Sequence, residues 1–236
     1  MSVLGIIGGL GPMATAYFLQ LVTQMTDADI DQEHIEIVIH SKPQIPDRTR
    51  YILGQSQETP VTEMIKTGNG LVAQGAEVLA IPCITAHYFQ KELTEAINVP
   101  VINAIEETAR YLEKHGVTKV GIMATDGTME SGIFQKELES LGMEVIVPSK
   151  DKQKKVMHLI YENVKAGKKL DKQMFDEIGR ELLMRGAQVI ILGCTELSLI
   201  KRDFSIGYPY LDVMEVLARK AVLTCGKLKT EYDELF

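Results

Sequence analysis

The chain has 236 residues, 45% of them apolar and 24% charged, enough for one compact domain or two small lobes with real cores. A net charge of −7 without any basic stripe excludes a partner bound by phosphate neutralisation, and so argues against nucleic acid. Three cysteines do not make a disulfide framework, no apolar run reaches the ~18 residues of a membrane span, and the opening "MSVLGIIGGLG" lacks the basic segment of a signal peptide. The expected setting is therefore the reducing cytoplasm, with free thiols.

Short apolar runs predict strands at 3–8, 35–40, 77–82, 99–102, 119–124, 143–147 and 188–193. The first run leads into "GLGPMA", Gly9 to Ala14, which fits the G-x-G-x-x-A pattern of a dinucleotide loop. The acidic residue that should close the second strand of such a site is missing, since that run ends in His40 and Ser41. The loop then reads as a tight strand-to-helix turn with Pro12 at the first helical position, or as backbone amides offered to a carboxylate. Leu10 in this loop is a candidate substrate contact. The segment "SKPQIPDRTRYILGQSQETP" at 41–60 reads as a long polar loop, a common place for function.

Helical spacing follows in Phe89, Leu93 and Ile97, and again in Ile105, Ala109 and Leu112, where Gly116 is a natural stop. A last helix is expected over about 211–225, carrying the core cysteine Cys225. The alternation of strands and helices predicts an α/β fold of parallel sheets flanked by helices.

The chain also repeats itself. "GAEVLAIPC", ending at Cys83, returns as "GAQVIILGC", ending at Cys194, an offset of 111. Gly5, Ile6, Gly11 and Met13 return as Gly121, Ile122, Gly127 and Met129, an offset of 116. Two pseudo-symmetric α/β lobes follow, one from 1–103 plus 208–236 and one from 104–207, with ligands expected at the carboxyl ends of their strands. Each cysteine then sits between a buried strand and a helix N-terminus, a position that favours a thiolate. A single such cysteine is usually a small buried hydrophobe, but a repeat that pairs two of them argues for chemistry. There is no C-x-x-C, no H-x-x-x-H and no compact His/Cys cluster for a metal. His87, four residues after Cys83, reads as either structural or supporting.

The motifs "GGLGPMAT" (8–15), "IPDRT" (45–49), "PCITAH" (82–87), "ATDGTMESGIFQ" (124–135), "YENVKAG" (161–167) and "GCTEL" (193–197) resemble, in order and spacing, the aspartate/glutamate racemase family of cofactor-independent amino-acid racemases. The resemblance covers essentially the whole chain. It implies an active site between two lobes, Cys83 and Cys194 as the two catalytic bases, no cofactor, an aspartate or glutamate substrate and a homodimer. It further implies that Arg48 and Lys165 are carboxylate-binding cations. Thr85, Thr125, Thr128 and Thr195 are candidate hydroxyl donors at strand ends, and equally candidate helix caps. Glu196 is a candidate to orient Cys194 or a substrate ammonium. The family carries Asn directly after its first cysteine; here Ile84 stands there, and altered or relaxed selectivity is expected. Other readings of the same scaffold are a decarboxylase, a cis–trans isomerase or a non-catalytic carboxylate binder.

Overall fold

The structure is a computed structural model and describes residues 2–168 and 171–236. The first lobe runs β1 (Leu4–Gly8), α1 (Pro12–Met25), β2 (Ile37–Ser41), α2 (Arg48–Ile52), α3 (Val61–Val72) and β3 (Val78–Ala80). A 3-10 segment, Ile84–Phe89, then leads into α4 (Gln90–Ala96). The second lobe follows α5 (Ala104–Lys114) with β4 (Lys119–Met123), α6 (Asp126–Ser131), α7 (Ile133–Ser140) and β5 (Glu144–Ile146). Next come α8 (Lys150–His158), which passes into a π-helical turn at Leu159–Lys165, and α9 (Lys172–Met184). The chain closes with β6 (Val189–Leu192), α10 (Thr195–Phe204), β7 (Tyr210–Asp212) and α11 (Val213–Cys225). No helix among the described residues is long and apolar enough to cross a membrane.

Both sheets are parallel, with orders β2-β1-β3 and β5-β4-β6-β7. The two central strands, β1 and β4, are the two copies of the Gly-Ile repeat. Side chains alternate between layers, as the period of a strand requires. Ile6 and Ile122 enter one continuous core that also holds Phe18, Leu112, Leu217 and Val222 from helices of both halves. Their neighbours Ile7 and Met123 enter separate outer cores, one in each lobe.

Two expected elements differ. The run 99–102 forms no full strand; Val101 makes only a parallel bridge to Leu79. Conversely, residues 211 and 212, expected to begin the last helix, form a strand with Tyr210. The two places are equivalent. The amide of Leu79 donates to the Pro100 carbonyl at 2.8 Å, and that of Ile190 to the Pro209 carbonyl at 2.8 Å. Each is followed by a polar cap, Asn103 for α5 and Asp212 for α11. Each capped helix then leaves its own sheet: α5 packs beside α7 of the second lobe, and α11 beside α1 of the first. The segment 208–236, assigned from sequence to the first lobe, is therefore shared: β7 belongs to the second sheet and α11 packs on the first lobe. The loop expected over 41–60 carries the short helix α2.

Candidate active site

Cys83 and Cys194 follow their strands by three and two positions and cap the next helical segment, the 3-10 turn and α10 respectively. Both are buried, and both line one chamber where the lobes meet. Leu10, Arg48, Ile84, Thr85, Thr125, Lys165, Thr195 and Glu196 line it with them. Thr128 stands one layer behind. Cys225 is buried on α11 in the central core.

The sides of the chamber carry different charges. On the Cys83 side, Arg48 is the first residue of α2 and is 8% exposed. Its Nη1 donates to the carbonyls of Ile45 (3.2 Å) and Pro46 (2.9 Å), and its Nη2 to that of Leu10 (3.1 Å). Its Nε is buried without a hydrogen-bond partner. Burial pushes this guanidinium down, but Cys83 and Asp47 beside it outweigh that and hold its pKa above the ordinary value.

On the other side, the Cys194 thiol donates to Glu196 Oε2 at 2.9 Å, and Thr195 Oγ1 reaches the same oxygen at 3.4 Å. Burial, reinforced by Glu196, pushes the Cys194 thiol well above the ordinary range. Lys165 ends the π-helical turn. Its Nζ lies 3.9 Å from Glu196 Oε1 and 4.2 Å from the ring centre of Tyr161. Burial lowers this ammonium, but Glu196, then Cys194, Tyr161 and Cys83, raise it further, so it stays charged. A π turn widens the helix by one residue and is often found where a side chain must be aimed.

A threonine cluster ties the lobes together over the chamber. The hydroxyls of Thr85, Thr125 and Thr128 form a triangle of 3.0–3.1 Å edges, with Thr49 3.4 Å from Thr125. Thr125 also accepts from the Thr128 amide as the cap of α6, so it serves both as cap and as chamber wall. Gly127 permits the close approach: a Cβ there would lie 2.8 Å from the Thr49 backbone. His87 turns away from the chamber. Its ring nitrogens meet the Ile81 carbonyl (3.3 Å) and Gln90 (3.1 Å), and burial holds its pKa low, so it supports the loop after Cys83.

Asp47, Thr49 and Tyr161 also line the chamber and were not singled out from sequence. All three lie inside motifs quoted above, next to or one turn from Arg48 and Lys165. The chamber is tight, with only about 10 Å³ of space for the centre of a water molecule. It adjoins an outer cleft of about 580 Å³ that shares Leu10, Asp47, Arg48, Lys165 and Glu196 with it. Among the described residues no group of three His, Cys, Asp or Glu is arranged to hold a metal ion.

The sequence model of the Asp/Glu/Hydantoin racemase family matches residues 7–221. A broad specificity amino-acid racemase of Bacillus subtilis (strain 168) is 27% identical over 233 residues, covering 94% of this chain and 97% of its own. The structure of an aspartate racemase from Picrophilus torridus superposes with a TM-score of 0.85 at 30% identity, covering 99% of this chain and 98% of that one. An aspartate racemase homologue from Pyrococcus horikoshii OT3 gives a TM-score of 0.76 at 27% identity, covering 95% and 99%. With two parallel-sheet lobes meeting at a chamber that holds a cysteine from each, the chain belongs to the Asp/Glu/Hydantoin racemase family and is an enzyme of the racemase class.

Proposed function

We propose that the protein interconverts the enantiomers of a free α-amino acid, with Cys83 and Cys194 acting on opposite faces of the α-carbon. The observation that carries this reading is that the two repeat-related cysteines line one chamber together with two cations and two carboxyl side chains. Racemisation removes the α-proton from one face and returns a proton to the other. Two groups on opposite walls do this without turning the substrate over.

The surrounding groups suit the rest of the task. The buried Nε of Arg48 and the ammonium of Lys165 receive the α-carboxylate. As the α-proton leaves, negative charge spreads onto that carboxylate, and cations already fixed in a water-poor chamber stabilise it. Glu196 and Asp47 are the groups available to the ammonium. Cys194, held as a thiol by burial and by its bond to Glu196, starts as the proton donor, and Cys83 as the base. The reverse reaction exchanges the roles. The scheme calls on no cofactor. Aspartate and glutamate are the substrates that the family resemblance puts first, and the head-group chemistry is the same for any amino acid.

Cys83→Ala and Cys194→Ala test the proposal. Each is expected to lower net racemisation by ~10²–10⁴-fold, the usual worth of a positioned acid or base. Chiral chromatography of the product reads the rate. Near-full activity in both directions for either variant removes that cysteine from the mechanism.

A further inference from the structure

Resting on the racemase reading above, we infer that the preferred substrates carry an uncharged, apolar side chain, which lies in the outer cleft. Charge comes first. The chamber and the cleft together are lined by two cations, Arg48 and Lys165, and two acids, Asp47 and Glu196. A zwitterionic head group has one charge of each sign and matches that balanced set. A second carboxylate brings a negative charge with no further cation on either wall. Arg48 has little left to give it, because three of its bonds already go to the carbonyls of Ile45, Pro46 and Leu10. Lys165 is engaged by Glu196 and Tyr161.

Shape and polarity point the same way. The cleft, at about 580 Å³, lies within the size range of small-molecule sites and opens directly from the chamber. Its remaining wall includes Pro12, Met13, Ile45, Val164 and Leu199. Leu199 is one turn beyond Glu196 on α10, and Val164 precedes Lys165, so the groups that hold the head group sit beside the apolar wall. Inside the chamber Ile84 adds a branched hydrocarbon. Burying a carboxylate against such a surface costs free energy, while burying an aliphatic chain gains it. Met13 is unbranched and 64% exposed, able to fold over side chains of different shape. One feature favours the opposite outcome: α1 begins at this cleft without a side-chain cap, and its amino end attracts anions.

Racemisation rates for L-leucine, L-methionine, L-phenylalanine, L-aspartate and L-glutamate decide between them. The best apolar substrate is expected to exceed both acids in kcat/KM by at least about tenfold. If either acid is the fastest, the inference fails while the racemase reading stands, and the side-chain carboxylate belongs at the amino end of α1. If none of the five racemises, the inference fails, and the racemase reading fails with it only if the remaining common amino acids also show no α-proton exchange in D₂O. Met13→Arg, at an exposed position that leaves folding alone, supplies the missing cation. It is expected to raise the ratio of glutamate to leucine kcat/KM about tenfold, and an unmoved ratio shows that the side chain does not enter the cleft.

Discussion

The two strand ends that carry Cys83 and Cys194 share a backbone plan and differ in what stands beside the sulfur. Both strands are the third of their lobe, both lie next to a central Gly-Ile strand, and both end in a cysteine that caps a helical turn. Yet Cys83 is followed by Ile84 and Thr85 and has the Arg48 guanidinium beside it, whereas Cys194 is followed by Thr195 and Glu196 and donates to a carboxyl. In the proposed mechanism the repeat supplies two like groups for two faces. The residues beside them differ, and on that proposal Cys194 starts as the proton donor. Symmetry of fold and asymmetry of charge are separate inheritances of the same chain.

Among changes that leave both sulfurs in place, equalising the two sides should have the largest effect on the rate. Glu196→Gln leaves a hydrogen-bonding side chain of the same shape but removes the charge that faces Cys194 and Lys165. Losing a charge-assisted bond of this kind costs ~1.5–3 kcal/mol, or about one to two decades in kcat/KM. The sign of the pH effect also follows. Glu196 helps to raise the Cys194 thiol, so its loss lowers that pKa, and the basic limb of the rate profile moves to lower pH. A profile that keeps its basic limb would separate Glu196 from the donor.

The second comparison lies in the caps. Asn103 and Asp212 occupy equivalent positions, but Asp212 is fully buried, bonded through Oδ1 to Ser198 (2.6 Å) and to the Met214 amide (2.9 Å), with Oδ2 unpartnered. Burial, then Glu215, push its carboxyl up to about 7, against the pull of Lys201, Ser198 and the Met214 amide. A carboxyl whose pKa rises on folding favours the folded state while protonated. That contribution is complete at acid pH, below the unfolded pKa, and is lost as pH rises through about 7. Asp212→Asn, which copies the first-lobe cap, should therefore gain stability relative to wild type as pH rises toward about 7. Urea denaturation at several pH values measures it, and parallel curves would refute the assignment.

The smallest expected effect is at Ile84, the apolar counterpart of Thr195. Ile84→Asn restores a hydrogen-bonding wall and should raise kcat/KM for aspartate or glutamate relative to leucine by a few-fold, within the range of one neutral hydrogen bond, about 0.5–1.5 kcal/mol. An unchanged ratio would make the departure at this position incidental.

Much of this was legible in the sequence because the same local rules act twice. Buried strands of three to five residues show as apolar runs, and the paired cysteines follow two of them. Two elements escape that reading. "YLD" at 210–212 is too brief to show alternation, and the helical period of the residues after it absorbs it. The run at 99–102 has strand composition but pairs only through Val101. The exchange of α5 and α11 between the lobes is a matter of tertiary packing that periodicity does not carry. In the site, every candidate catalytic or substrate-binding residue named from sequence lines the chamber except Thr128, which braces Thr85 and Thr125 from behind, while His87, read as structural or supporting, lies outside it. Tyr161 was missed because its place depends on the π turn, which brings it under Lys165.

The two-base claim is tested most directly by following racemisation in D₂O to low conversion and locating the deuterium. Two bases on opposite faces deliver a solvent-derived deuteron to the product and leave the unreacted enantiomer with its own proton. The expected result is product deuterated at the α-carbon and remaining substrate still protiated. Product that keeps the substrate's proton, or deuterium entering the unreacted substrate as fast as the product, would show one base serving both faces and would contradict the assignment of Cys83 and Cys194.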